Sequence, residues 1–90
     1  MVSAFVLINV EGKALDEIGA ELLEFPGIKE VYIVAGEYDM VAVLRVRDNQ
    51  ELSELITKKI VHAAGIERTK TLFALQVFSD LDLDTIYGAE

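Results

Sequence analysis

The chain has 90 residues, 52% hydrophobic and 8% aromatic, with eight Lys/Arg against sixteen Asp/Glu and a formal net charge of −8. That length suits one domain with one core, and the apolar content excludes a disordered chain. Apolar runs reach only five residues, as from Val31 to Ala35, far short of the ~18 a membrane-spanning helix needs.

From Val2 to Val10 apolar residues occupy both parities, Val2, Ala4, Val6, Ile8 and Val10 on one and Phe5 and Leu7 on the other. This predicts a strand buried on both faces. After Glu11-Gly12 the period changes to 3.6 from Lys13 to Phe25. Leu15, Ile18, Leu22 and Phe25 fall on one side and Asp16, Glu17, Glu21 and Glu24 on the other, an amphipathic helix stopped by Pro26-Gly27. A β-branched run from Ile28 to Ala35 predicts the second strand. Gly36-Glu37 then turns the chain into a third, Tyr38 to Arg47, giving an antiparallel hairpin with a short connection. Asp48 with Glu51 three residues later resembles a capping box, and Asn49 is the other cap candidate. The second helix follows with Leu52, Leu55, Ile56, Ile60 and Ala63 at helical spacing, and Gly65 is placed to end it. The fourth strand is expected over Ile66 to Phe78. Ser79 to Glu90, with Asp80, Asp82, Asp84 and Glu90 and no base, reads as an acidic C-terminal tail.

The order is β-α-β-β-α-β. A Gly-Ile step closes the helix of each half, at Gly27-Ile28 and Gly65-Ile66. Two such halves make an α+β ferredoxin-like plait, a four-stranded antiparallel sheet with both helices on one face. Residues 1–78 form that domain. The other sheet face ought to be polar if it met water, yet strand three sets Val41 and Val43 against Met40, Ala42, Leu44 and Val46. An apolar patch of that size is unusual on a monomer, so the chain is expected to dimerise through its sheets, alone or within a larger ring.

No catalytic constellation is visible. The chain has no cysteine and one histidine, His62, best read as a partner for the C-terminal end of its helix. Lys58-Lys59 suit the same helix end, and the alternating aspartates lack the pattern of an EF-hand loop. No cofactor and no metal site are expected. The bases are scattered and not interleaved with aromatics, which with the acidic balance disfavours direct nucleic-acid binding. The N-terminus lacks a basic region, so no signal peptide is expected and the cytoplasm is the default.

Two features stand out. In the hairpin, Gly36 permits a positive φ and exposes N–H groups that can form an anion cradle. Glu37 and Tyr38 follow, and Asp39 brings an unpaired carboxylate beside an apolar strand. A cradle next to a carboxylate complements a zwitterion, the two charges of an amino acid. The second feature is Thr69-Lys70-Thr71, with two hydroxyls on one face of strand four. By chemistry alone, a plain turn and ordinary strand threonines remain open readings.

Taken together, "VAGEYDMVAVLRVRD", the helix opening on Asp48-Asn49, "GIERTKT" and "FPGIKEV" resemble the effector-binding (RAM) domain of the Lrp/AsnC family of transcriptional regulators. The resemblance covers about residues 3 to 78. It implies a βαββαβ domain that dimerises through its sheets, assembles further, commonly into octameric rings, and binds amino acids between dimers. It also implies that Gly36, Tyr38 and Asp39 hold the ligand's backbone groups, with Thr69 and Thr71 lining the same cleft from a neighbouring strand or subunit. Family regulators carry an N-terminal helix-turn-helix domain, whereas here strand one comes at once. The chain therefore resembles a stand-alone sensor domain, not an enzyme, with full-length regulators of the family as possible partners. A purely structural oligomerisation module, a small dimeric ferredoxin-like enzyme and an ACT-like sensor are the alternatives.

Overall fold

The computed structural model describes residues 1–12 and 14–78; the expected acidic tail, 79–90, lies outside them. The elements are β1 (Val2–Val10), α1 (Leu15–Leu23), β2 (Ile28–Ile33), β3 (Met40–Val46), α2 (Asn49–Glu54) continuing into a π-helical turn (Leu55–Ile60), and β4 (Ile66–Phe73). The strands form one antiparallel sheet in the order β2-β3-β1-β4. The expected ferredoxin-like plait is the observed fold.

Parity decides what each strand buries. Ala4, Val6 and Ile8 of β1 pair with Leu44, Ala42 and Met40 of β3, and all six are buried. They form the core with Ile18 and Leu22 of α1 and with Leu52, Leu55 and Ile60 of the second helical segment. Both helices therefore cover one face. α1 starts without a side-chain cap, although Asp16 and Glu17 in its first turn complement the helix dipole. α2 is capped by Asp48, whose carboxylate accepts the Glu51 N–H at 2.8 Å. Glu51 reaches back to the Arg47 N–H at 2.9 Å, one residue before the cap, and so completes a variant of the expected box. The two Gly-Ile steps behave alike, with Gly27 at φ +102° and Gly65 at φ +90°. Gly27 also sits so close to the second helix that a Cβ there would lie 3.0 Å from both Leu55 Cδ2 and Val46 Cγ1.

The other sheet face is apolar at its centre. Leu72, Phe5, Val43 and Glu30 lie across the four strands in one row, and Lys70, Leu7, Val41 and Tyr32 in the next. Phe5 is 39%, Leu72 45% and Tyr32 49% exposed. Ser3 with Arg45 and Asn9 with Arg68 flank those rows at the two ends of the sheet. The apolar second face read from the sequence is thus present, ringed by polar groups.

Some strand boundaries and the second helix differ from expectation. β2 ends at Ile33 and β3 begins at Met40, so the hairpin connection spans residues 34–39 and is longer than the sequence suggests. It closes on a Val34 N–H to Asp39 C=O bond of 3.0 Å, while the Asp39 N–H turns to the Ile8 carbonyl of β1 at 2.9 Å. β4 ends at Phe73 and not Phe78, because its pairing with β1 finishes where the Ala74 N–H meets the Ser3 carbonyl. The second helix widens into a π turn, marked by the Val61 N–H donating to the Ile56 carbonyl at 3.1 Å.

Candidate functional site

The hairpin stands at the corner where β1 ends and β3 begins. Asp39 fixes it there with three hydrogen bonds. Two are those of its backbone, to Val34 and Ile8. In the third, its Oδ2 accepts the Val10 N–H at 2.9 Å. The carboxylate takes the place of a backbone carbonyl and ends the β1–β3 ladder. The expectation of an unpaired carboxylate is therefore corrected: one oxygen is used by the fold. Oδ1 is left with no partner among the described residues, on a half-buried side chain.

Beside it the backbone is open. The N–H groups of Ala35, Gly36, Glu37 and Tyr38 meet no acceptor among the described residues. Gly36 has φ +142°, and a Cβ built there meets nothing within 4 Å. The positive φ is one that L side chains rarely adopt, and glycine permits it without strain. Val34 to Glu37 are exposed, while Tyr38 and Asp39 are half-buried. Chemically the corner offers N–H donors that suit a carboxylate and, next in the chain, an anchored carboxylate acceptor that suits an ammonium.

Thr69 and Thr71 are elsewhere in the protomer. They pair with Ile8 and Val6, so they lie on the helix side of β4. β1 stands between Thr69 and the hairpin, a separation of two strand spacings, about 10 Å. Thr71 lines a separate cleft beside Leu52 and Ile56 of the second helix. One protomer therefore brings together Gly36, Glu37, Tyr38 and Asp39 but not the two threonines. No hairpin residue lines the two clefts found among the described residues of the single chain. His62 is exposed just past the π turn. Sequence reasoning missed the Val10 N–H as the partner of Asp39. Only the strand register carries that signal.

Known proteins resemble the chain over most of its length. The sequence profile of the Lrp/AsnC ligand binding domain matches residues 3–82. The HTH-type transcriptional regulator FL11 of Pyrococcus furiosus is 34% identical over 77 residues, 86% of this chain and 50% of that protein. The chain thus spans about half the length of the curated relatives it matches. The crystal structure of TTHA0845 from Thermus thermophilus is similar with a TM-score of 0.81 and 40% identity, covering 88% of this chain and 99% of that one. The feast or famine regulatory protein Rv3291c from M. tuberculosis, complexed with L-methionine, has a TM-score of 0.74 and 30% identity over 91% of this chain and 56% of its own. Among the described residues no helix is long and apolar enough to cross a membrane. The curated relatives are transcriptional regulators, and the profile, the fold and the shared sequence agree that the chain belongs to the Lrp/AsnC family through its ligand-binding regulatory domain.

Proposed function

We propose that this domain is a non-enzymatic, cytoplasmic amino-acid sensor whose protomers assemble and hold the effector between them. The observation that carries the reading is the hairpin corner: a run of free N–H groups from Ala35 to Tyr38 beside the anchored Asp39 carboxylate. The N–H groups take the ligand's carboxylate, and Asp39 Oδ1 takes its ammonium. Tyr38 and Glu37 border the same corner. Thr69 and Thr71 reach the ligand from a neighbouring protomer, which the open corner needs as its second wall. The apolar sheet face pairs two copies, and further association of dimers into a ring such as an octamer closes the effector sites. The L-methionine complex of the M. tuberculosis relative supports an amino acid as the ligand class. Full-length Lrp/AsnC regulators, which have room for a DNA-reading domain in their other half, are the partners this sensor would modulate by mixed assembly.

The test is a thermal-shift screen against the twenty amino acids, followed by calorimetric titration of the hits with wild type and Asp39→Asn. The amide keeps an oxygen for the Val10 N–H and removes the charge, so the fold is retained. A hydrogen bond to a charged group contributes about 1.5–3 kcal/mol, so Asp39→Asn is expected to bind about 10- to 100-fold more weakly. Equal affinity in the two proteins would remove Asp39 from the site, and no hit among the twenty would overturn the sensor reading.

A further inference from the structure

A cleft lies at the other end of the sheet. The hairpin corner stands at the start of β3 and Arg45 to Arg47 at its end, about 20 Å away along the strand. There an open cleft of about 630 Å³ lies between the start of β2, the end of β3 and the second helical segment. Its volume is within the range of small-molecule sites. Phe25, Val46 and Leu55 give it apolar lining, and Gly27 lets that lining close up.

Its charge is opposite to that of the chain. Five of the eight Lys/Arg line it, namely Lys29, Arg45, Arg47, Lys58 and Lys59. Among the described residues two carboxylates, Glu51 and Glu54, share the lining, which leaves a local excess of three positive charges there in a chain of net charge −8. Arg47 is engaged by Glu51, with its Nε and Nη2 at 3.4 and 3.3 Å from Oε2. No carboxylate among the described residues is paired with Lys29, Arg45, Lys58 or Lys59. Lys58 and Lys59 are carried by the π turn, a rare backbone form found frequently at functional sites. Like charges gathered round an apolar pocket repel one another, and a multivalent anion relieves that repulsion.

We propose that this cleft binds an organic phosphate, a ligand with a phosphate chain and an apolar or planar body. An amino acid's single carboxylate cannot balance three positive charges, whereas a diphosphate ester carries about three negative ones near neutral pH. Lysine ammoniums act as compact charges on phosphate oxygens. The apolar lining receives the body. The site is independent of the effector corner, so each can fail without the other.

The experiment is titration of the full chain with ADP and with inorganic pyrophosphate by calorimetry at low salt. The same titrations are made on Lys58→Gln/Lys59→Gln, on Asp39→Asn and on Lys70→Gln. Lys58 and Lys59 are exposed on a helical segment, so their replacement leaves the core and the open sheet face intact. ADP is expected to bind wild type, Asp39→Asn and Lys70→Gln alike and the double variant at least tenfold more weakly, with pyrophosphate at least threefold weaker than ADP on wild type. Absence of ADP binding at millimolar concentration would overturn the proposal. So would equal binding by the double variant. Pyrophosphate as tight as ADP would overturn the role given to the apolar lining.

Discussion

The open sheet face makes a sharp prediction at Phe5. Its ring lies on the face away from the helices, between Val43 and Leu72, and is 39% exposed in the single chain. An aromatic side chain offers ~200 Å², so about 80 Å² of Phe5 remains to be covered by a partner. At ~25 cal/mol per Å² that is about 2 kcal/mol per copy. In an isologous dimer the same residue occurs twice, so Phe5→Ala removes about 4 kcal/mol from association. At 1.4 kcal/mol per factor of ten, the dissociation constant rises roughly 1,000-fold. The core on the other face is untouched, so the protomer should keep its circular dichroism spectrum. Sedimentation over a hundredfold range of concentration reads the result, with Leu23→Ala on the exposed side of α1 as the control. A monomeric wild type at micromolar concentration, or a Phe5→Ala dissociation constant within threefold of wild type, would refute sheet-to-sheet assembly.

Gly27→Ala should be far more damaging than Gly36→Ala, although both glycines have a positive φ. At Gly36 the new Cβ meets nothing within 4 Å, whereas at Gly27 it collides with Leu55 and Val46 at 3.0 Å. A left-handed residue costs about 1–2 kcal/mol and overpacking a further 1–3, so calorimetry should show Gly27→Ala losing at least twice the stability that Gly36→Ala does. On the open face, the Glu30 carboxylate holds the Tyr32 phenol above its ordinary value of 10.0, by hydrogen bonding and then by its charge. A raised value means that the folded chain keeps this proton as pH climbs through the usual tyrosine range. Glu30→Gln should bring the phenolate absorbance step back down in pH, and an unmoved step would show that Glu30 is not the cause.

The fold was legible because its signals are local. The two Gly-Ile steps, the change of period at Lys13 and the double-sided apolar pattern of β1 and β3 each act within a few residues. What was not legible depends on register. A bulge leaves Glu67 without a partner opposite the Asn9–Val10 step, and only with that bulge placed do Thr69 and Thr71 fall on the helix side. Asp39 reads as a free carboxylate until β1 is laid beside it, when the Val10 N–H takes one of its oxygens. The basic cleft was invisible for the same reason. Its cations come from β2, β3 and the π turn, and along the chain they read as three unrelated pieces of surface.

The two proposed uses of the effector corner and the open face are linked by thermodynamics. A ligand clamped between protomers has affinity for the assembled state that it lacks for the separate chain, and only such a difference shifts an equilibrium. At 100 times its dissociation constant it would stabilise the assembly by about 2.7 kcal/mol per site, roughly a hundredfold in association. In the proposed assembly the corner would suit that coupling because each protomer would supply one wall. Asp39 ties the wall to the ends of both central strands, the same strands whose Phe5, Leu7, Val41 and Val43 make up the centre of the apolar face. A ligand pulling on Asp39 and a partner pressing on that face would act on one hydrogen-bonded pair of strands, so in the proposed assembly occupancy of the corner would reach the assembly surface without a separate switching element.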